Sequence, residues 1–305
     1  MSIPSRCYVL GRKSRKVLRE IQDEEPEIPL SIDKVGVRGV RRRITTQSPQ
    51  GSLFFDVVLD AYVNLPANRR GIHMSRNIEA FIEAIDQARV RGAPLIENVL
   101  EDACSILLEK HPYASRAEIK ANTTFFYNED FAGISSEEAA NVSITVVVDR
   151  NGTKRYSIST SVYGMTVCPS AQETYHQIEG TPLHKSPSHS QRAKLTLTVS
   201  TEGFFVRIED LIDAARLAFS APATSLLKRE DEHLLVKKAF EKPRLVEDLV
   251  RYALHNIYHI LKSNNCPGNT LISVEAESFE SIHIHNAYAS RTVTLEELGK
   301  EALLK

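Results

Sequence analysis

Residues 142–170, VSITVVVDRNGTKRYSISTSVYGMTVCPS, give the clearest indication of the fold. Val142–Val148 and Arg155–Val167 are rich in β-branched residues, which favour strands, and the Asn151-Gly152 pair between them is typical of a two-residue hairpin turn. The second strand then reaches Cys168-Pro169, where proline suits the first position of a helix. The stretch therefore predicts a long hairpin that leads into a helix.

Strand alternation and helical spacing occur in the same order on both sides of this hairpin. In the first half they predict a strand at Leu53–Leu65, helices around Ile78–Ala88 and at Pro94–Lys110, and a strand at Ala117–Tyr127. In the second half they predict a strand at Lys194–Val199, helices from Ile208 to about Leu227 and over Pro243–Leu261, and strands at Thr270–Glu277 and His283–Thr292. This order indicates an α+β protein with two sheet-plus-two-helix modules, residues 31–152 and 153–305, in one continuous domain.

The first thirty residues differ in composition from the rest of the chain. A basic run with Arg12, Lys13, Arg15, Lys16 and Arg19 precedes an acidic, proline-broken run with Asp23, Glu24, Glu25 and Glu27. Runs of like charge with few apolar residues do not form a packed core. We therefore expect residues 1–30 to form a mobile arm, either solvated or in contact with another subunit.

The composition of the whole chain argues against several classes of protein. Its 305 residues include 38 Lys and Arg against 39 Asp and Glu, so the net charge of −1 gives no general attraction to nucleic acid or anionic membrane. No apolar run reaches the roughly 18–20 residues that span a bilayer, and Met1–Glu20 does not resemble a signal peptide. The four scattered cysteines predict no disulfide framework. We expect a cytoplasmic protein.

Cys168 and His189 are the first candidates for chemistry. Cys168 lies at a predicted helix N-terminus, where the helix dipole favours the thiolate that binds metals or attacks carbon. A buried structural cysteine is an equally good interpretation. His189 lies in the polar stretch HKSPSHSQR just before a strand, where a metal or substrate can reach it. With downstream glutamates, these residues would supply sulfur, nitrogen and oxygen donors suited to zinc or ferrous iron.

The densest polar cluster is ESIHIHN, which begins at Glu280. In a regular strand His283 and His285 would share one face, while Ile282 and Ile284 would face the core. Glu280 would point away from the histidines, so that Glu280 and His283 act together only at a bulge or a strand end. A structural, half-exposed histidine pair is the alternative interpretation.

Two further segments carry groups that bind anions or bases. The sequence GIHMSR, residues 71–76, precedes a predicted helix, and helix amides, the Ser75 hydroxyl and the Arg76 guanidinium favour phosphate oxygens, with His73 beside them. Alternatively, Ser75 only caps the helix and Arg76 is solvated. Glu247, near the start of the last predicted helix, either complements the helix dipole or accepts both N–H donors of a guanine edge.

Several segments combine into a recognisable pattern between about Ile32 and Leu298. They are Leu65-Pro66 with Gly71–Arg76, His111–Glu118, Cys168-Pro169, His189–Arg192, Lys228–Glu232 and Phe279–His285. In this order they resemble the GTP cyclohydrolase IB family and, more closely, its archaeal branch of the MptA type. The resemblance implies a tunnelling fold, in which each subunit contributes two modules and subunits join their sheets into a barrel, as a homodimer or homotetramer.

The resemblance also assigns site residues. It implies metal ligands at Cys168, His189, Glu232, Glu280 and His283, and catalytic residues at Cys168, His283 and His285. It implies substrate binding by Glu247, His73, Ser75 and Arg76, with the last three near the nucleotide and contributed by a neighbouring subunit. Ser170 stands where many relatives have a second cysteine, so a two-thiolate site is excluded, and Glu230 or Asp231 could replace Glu232 in the alignment.

The implied reaction is hydrolysis of GTP at carbon 8 of guanine with release of formate. Fe(II) is the implied metal, and Zn(II) or Mn(II) are alternatives. The archaeal branch implies 7,8-dihydroneopterin 2′,3′-cyclic phosphate plus diphosphate for methanopterin or folate-type pterin synthesis, and the bacterial branch implies 7,8-dihydroneopterin triphosphate. We favour the archaeal product because Lys228–Glu232 and Arg244–Arg251 look closer to that branch. The alternatives are a deazaguanine nitrile reductase with Cys168 as nucleophile and a noncatalytic purine-binding protein.

Overall fold

A computed structural model of the chain describes residues 19–48, 51–131 and 133–302. The strands are β1 (Ile32–Ser48), β2 (Gly51–Leu65), β3 (Arg116–Phe131), β4 (Ile134–Asp149), β5 (Lys154–Val167), β6 (Ser190–Glu202), β7 (Ala221–Pro222), β8 (Leu271–Ser278) and β9 (Ala287–Thr294). The α-helices are α1 (Met74–Arg91), α2 (Ile96–Lys110), α3 (Pro169–Glu179), α4 (Ile208–Arg216), α5 (Arg229–Glu241), α6 (Val246–Ser263) and α7 (Leu295–Ala302). Short 3₁₀ helices cover Ile21–Asp23 and Leu183–Lys185.

The strands form one antiparallel sheet, and helices α1, α2, α4 and α6 cover one of its faces. The strand order is β1-β2-β3-β4-β5-β6-β8-β9, and β7 pairs with β5. Helices α1 and α2 pack on each other and on the first half of the sheet, and α4 and α6 do the same on the second half. Alternate residues of β6 are buried, such as Leu195 and Leu197, and belong to a core that continues across both halves.

The other face of the sheet is polar where β5 and β6 pair. Hydroxyl groups meet in successive cross-strand pairs, Ser161 with Thr196 at 2.8 Å, Ser159 with Thr198 at 2.8 Å, and Ser157 with Ser200 at 2.9 Å. Cross-strand hydroxyl pairs stabilise a sheet without burying apolar surface. The two strands therefore present apolar side chains to the helices and hydroxyl groups to the opposite side.

The register of the strands places the candidate residues at two opposite ends of the sheet. Val167 at the end of β5 pairs with Ser190 at the start of β6, so Cys168 and His189 lie at the same end. The loop after β2 lies at the other end, because β2 ends beside the start of β3, β3 begins beside the end of β4, and β4 ends beside the start of β5. His73–Arg76 and Cys168 are therefore separated by the length of the strands within one chain.

The mixed helix and sheet class predicted from the sequence is confirmed, and the predicted hairpin forms with Gly152 at a positive φ of 94°. The division into two modules at residues 152 and 153 stays a prediction. Residues 1–18 of the predicted arm lie outside the described residues, whereas its residues Gln22 and Glu24 accept backbone hydrogen bonds from Gly71 and Arg70. Within the described ranges, no helix has the length and apolar character needed to cross a membrane.

The helix predicted from Ile208 to about Leu227 is wrong, because α4 ends at Arg216. The chain leaves the helix so that Ala221 pairs with Met165 of β5, and the Ser220 amide donates to the Met165 carbonyl at 2.9 Å. A separate helix, α5, follows. Tertiary pairing with β5 thus overrides the local helical pattern.

Gly164 in β5 permits the close approach of Phe219 after α4. A Cβ atom at residue 164 would lie 2.2 Å from Cγ of Phe219, far inside van der Waals contact. We expect Gly164→Ala to lower the free energy of unfolding by about 1–3 kcal/mol through overpacking, measured by urea denaturation. In a Phe219→Leu background the same substitution should cost less, and equal costs in both backgrounds would contradict this origin.

Candidate active site at one end of the sheet

Cys168 and His189 face each other where the β5–β6 ladder ends. The Cys168 amide donates to the His189 carbonyl at 3.2 Å, and the Ser188 hydroxyl donates to the Cys168 carbonyl at 2.6 Å. Cys168 is the N-cap of α3, its sulfur accepts from the Ala171 amide at 3.4 Å, and Pro169 occupies the first turn as predicted. The backbone hydrogen bonds therefore place Cys168, which is half-buried, next to His189 in space.

Gln191 links His189 to Glu280. The His189 Nδ1 lies 2.9 Å from the Gln191 amide oxygen and 3.7 Å from Oε2 of Glu280, and the Gln191 amide nitrogen lies 3.4 Å from Oε1 of Glu280. An amide oxygen only accepts, so Nδ1 donates this hydrogen bond, and in the neutral imidazole the lone pair is on Nε2. This tautomer leaves one imidazole nitrogen available as a metal ligand or proton acceptor.

Two buried hydroxyl groups complete the network around Gln191. Its amide nitrogen donates to Thr166 Oγ1 at 3.0 Å and to Ser278 Oγ at 3.3 Å, and Ser278 donates to Glu280 Oε1 at 2.8 Å. The Glu280 side chain is only 12% exposed. Gln191 has no role predicted from the sequence, although it lies two residues after His189, a spacing that places side chains on the same side of an extended backbone.

Glu247 and Glu232 lie on helices near this end of the sheet. Glu247 is exposed in the first turn of α6, which begins three residues later than predicted, at Val246. The Arg244 amide just before α6 donates to the Val167 carbonyl at 2.9 Å, next to Cys168. Glu232 is exposed in the first turn of α5. The assigned roles of both glutamates stay predictions.

The strand predicted over His283–Thr292 begins only at Ala287, and the expected burial of two isoleucines is wrong. Ile282 and Ile284 are exposed, because β8 ends at Ser278 and the Glu280 amide turns back to the Ser278 carbonyl at 3.1 Å. His283 and His285 stack with ring centroids 5.0 Å apart on the resulting exposed loop. Glu280 therefore lies at the strand end that joint action with His283 requires.

The donor chemistry at this end suits a metal ion, although one chain assembles only part of a ligand shell. A thiol, an imidazole and a carboxylate are donors that zinc and ferrous iron accept. Within residues 19–48, 51–131 and 133–302, however, no three Cys, His, Asp or Glu side chains are grouped closely enough to hold a metal. The structure does bring His189 and Glu280 together, and hydrogen bonds to Gln191 fix the orientation of both side chains.

The segment around His73 forms a second polar region at the opposite end of the sheet. His73, not Ser75, is the N-cap residue of α1, and Ser75 is exposed in its first turn. The solvated Arg76 of the alternative interpretation is wrong, because its guanidinium donates to the Lys110 carbonyl at the end of α2 at 2.9 Å. Arg76 thus donates to a carbonyl group that has no partner within its own helix, and this bond connects α1 to the end of α2.

A fully buried histidine, His111, supports this second region. Its Nδ1 lies 2.8 Å from the Tyr113 hydroxyl and its Nε2 lies 3.1 Å from Oδ1 of Asn77. Burial, reinforced by the neighbouring charges of Arg76, His73 and Arg69, lowers the pKa of His111 to about 4. The imidazole is therefore neutral at pH 7 and acts as a fixed hydrogen-bonding bridge.

Solved structures with a similar fold identify the architecture. Uricase from Arthrobacter globiformis has a TM-score of 0.53 and 8% sequence identity, covering 86% of this chain and 93% of that one. A uricase from Bacillus fastidious has a TM-score of 0.52 and 11% identity, covering 91% and 97%. Identities this low establish only the fold. The chain is thus a mixed α/β protein of uricase-like fold with Cys168 and the His189–Glu280 pair at one end of its sheet.

Sequence relatives then give the family. Residues 18–289 match the type I GTP cyclohydrolase folE2 family. GTP cyclohydrolase MptA of Aeropyrum pernix is 42% identical over 271 residues, covering 88% of this chain and 94% of that protein. GTP cyclohydrolase MptA of Methanobrevibacter smithii is 33% identical over 306 residues, covering 93% and 98%. The chain belongs to the type I GTP cyclohydrolase family, and the resemblance and enzyme class inferred from the sequence are confirmed.

The neutral, buried His111 gives stability a defined pH dependence. Its pKa in the folded chain lies below the ordinary 6.5, so the unfolded chain binds the proton more readily, and stability falls as pH drops from 6.5 to about 4. The total loss is on the order of 3 kcal/mol, since one pKa unit corresponds to about 1.36 kcal/mol. His111→Gln should remove this part of the slope, measured as urea denaturation at several pH values.

The buried carboxyl group of Glu97 titrates in the same pH range as His111. The contribution of His111 is therefore read from the difference between the stability profiles of the wild type and of His111→Gln. Burial raises the pKa of Glu97 from 4.5 to about 6, so its contribution to stability runs the opposite way, falling as pH rises through that range. Because Glu97 is unchanged in His111→Gln, subtracting the two pH profiles isolates the histidine. The exposed control His184→Gln should keep the wild-type slope, and an unchanged slope in His111→Gln would contradict a neutral His111.

Proposed function

We propose that this chain is a metal-dependent enzyme that hydrolyses GTP at carbon 8 of guanine and releases formate. The observation that carries the proposal is the His189–Glu280 pair, 3.7 Å apart and joined by Gln191 beside Cys168, in a chain of the GTP cyclohydrolase family. Following the archaeal resemblance, we propose 7,8-dihydroneopterin 2′,3′-cyclic phosphate and diphosphate as products, in pterin biosynthesis. The cytoplasmic location inferred from the sequence stays part of this proposal.

Fe(II) is the metal that we propose, with Zn(II) or Mn(II) as alternatives. Cys168, His189 and Glu280 would hold it, and Glu232 and His283 are the further donors that the resemblance assigns. When bound, such a metal would lower the pKa of water towards about 7, which would make a nucleophile available at neutral pH. The proposal rests on the donor types and on the proximity of His189 and Glu280.

The protein's own groups would orient donors and move protons. Gln191 holds the Nδ1 proton of His189 and one oxygen of Glu280, so both side chains keep fixed orientations. Burial of the Glu280 side chain removes water from the carboxylate and strengthens its electrostatic interactions. His283 and His285 would transfer protons as the ring opens and formate leaves. Their exposed loop would need a cover that excludes water.

Substrate binding would combine residues of two subunits. Glu247 would accept both N–H donors of the guanine edge, while His73, Ser75 and Arg76 would face the phosphates. The opposite placement of these groups along the strands supports contribution by a neighbouring chain. A tunnelling fold with sheets joined into a barrel, as a homodimer or homotetramer, would bring them together, and β1 and β9 are the edge strands for such joining.

Anaerobic turnover of GTP with Fe(II), followed by formate and metal analysis, tests the proposal. We expect formate release without a nicotinamide donor and a loss of kcat of about 100-fold or more in Cys168→Ala, His189→Ala and Glu280→Gln, as for removal of parts of a catalytic metal site. The controls Cys266→Ala, His184→Ala and Glu275→Gln should keep wild-type rates. Full activity in Cys168→Ala, or no formate from any preparation, would refute the proposal.

Phosphate analysis of the pterin distinguishes the two possible products. A cyclic phosphate with free diphosphate would support the archaeal-type reaction, whereas a retained triphosphate would assign the bacterial-type reaction. The same samples give the metal content after loading with iron, zinc or manganese.

Gln191→Met tests the bridge between His189 and Glu280. Methionine has a similar length but neither donates nor accepts as an amide does, so both donors would lose their orientation. We expect the metal affinity to fall about 10–100-fold, as when other outer groups that orient metal ligands are removed. Thr198→Val on the same strand is the control, and unchanged metal affinity in Gln191→Met would show that the bridge has no such role.

A further inference from the structure

An acidic segment before β1 lies on the loop that precedes α1. The segment contains Glu20, Asp23 and Glu24, and its backbone carbonyls at Gln22 and Glu24 accept hydrogen bonds from the loop amides at 3.2 and 2.8 Å. Two backbone bonds fix the segment along the loop. Its carboxylates are therefore held beside the loop's cationic side chains.

Two arginines and a histidine of the loop face these carboxylates. Arg69 donates from Nη2 to Asp23, and the His73 imidazole lies 3.5 Å from Asp23 and 3.7 Å from Glu20. The Arg70 guanidinium lies 4.0 Å from Glu24. Carboxylates thus occupy the positions where an incoming anion would meet this loop.

Arg69 is packed against an aromatic ring. Its guanidinium lies over the Tyr113 ring, 4.1 Å from the centroid, and the Tyr113 hydroxyl is fixed by the buried His111 at 2.8 Å. Its Nε is buried and has no hydrogen-bond partner within the described part of the chain. Asp23 therefore uses only part of the donor capacity of a guanidinium whose plane is already fixed.

The pair between Arg69 and Asp23 is open to replacement. The Asp23 side chain is 51% exposed, and solvent-exposed ion pairs contribute little because water screens them. A polyphosphate carries more negative charge and offers several oxygens to the guanidinium fork and to His73. Exchange of the carboxylate for phosphate would thus add charge-assisted hydrogen bonds.

We propose that Arg69 is a further phosphate-binding residue of this enzyme, and that Asp23 occupies its place until the polyphosphate of the substrate displaces it. This inference rests on the proposed function for its substrate. It adds Arg69, which is outside the assigned site, to the residues that bind the substrate. It also makes Asp23 an internal competitor that lowers the apparent affinity for the polyphosphate. The acidic segment would have to leave the loop, or shift along it, each time substrate enters.

Binding of inorganic tripolyphosphate to the full-length chain, measured by calorimetry, tests Arg69 directly. We expect Arg69→Gln to weaken binding about tenfold or more, as for loss of a hydrogen bond between charged groups, and to raise KM for GTP more than it lowers kcat. Arg69→Lys keeps the charge but not the fork and should lie between. Wild-type tripolyphosphate affinity in a folded Arg69→Gln would overturn the proposal.

Asp23→Asn tests the competition. Removing the carboxylate charge should tighten tripolyphosphate binding and lower KM for GTP, and this gain should vanish in the Arg69→Gln background because both changes act on one pair. Arg89→Gln and Asp86→Asn, which break a similarly exposed pair on α1, are the matched controls and should change neither quantity. An unaltered affinity in Asp23→Asn would overturn the role of Asp23.

The two proposals fail separately. Tripolyphosphate binding that depends on Arg69 without formate release from GTP would support this inference and refute the proposed function. Formate release from GTP, together with tripolyphosphate binding that does not depend on Arg69, would support the proposed function and refute this inference.

Discussion

The register of β5, β6 and β8 is the constraint on which the candidate active site depends. The β5–β6 ladder sets Cys168 opposite His189, and the β6–β8 ladder, extended by two residues, sets Gln191 opposite Glu280. Each pair is brought together from segments far apart in the chain. A slip of one residue in either ladder would turn one partner to the other face of the sheet. The hydroxyl pairs between β5 and β6 and the continuous apolar core on the other face both oppose such a slip.

The same ladders separate the two polar regions of the chain. Because neighbouring strands are antiparallel, the end of β5 and the end of β2 point in opposite directions at opposite ends of the sheet. Cys168 with the His189–Glu280 pair and the loop of His73 are thus attached to opposite ends of one sheet and cannot approach each other by a local movement. The chain supplies both kinds of chemistry, but it holds them apart.

The sequence predicts those features that depend on local patterns, and it misses those that depend on distant partners. The central hairpin and the amphipathic helices follow from spacing and turn residues. The sequence does not predict the edge strand β1, because the arginine-rich face of this strand lacks apolar alternation. In the structure, Arg43 on β1 forms an ion pair with Asp56 of β2. Gln191 was missed because only the β6–β8 pairing brings its amide to Glu280. The motif resemblance named Cys168 and the other assigned residues, whose roles no spacing could establish.

Separation of the two regions has a consequence for how a complete site would arise. If the regions meet only between copies, folding of one chain yields an incomplete unit, and completion is a second-order event. The number of finished sites would then rise with the square of protein concentration when copies are scarce. The synthesis rate of the chain would thus govern catalytic capacity more steeply than in an enzyme whose chain is complete by itself.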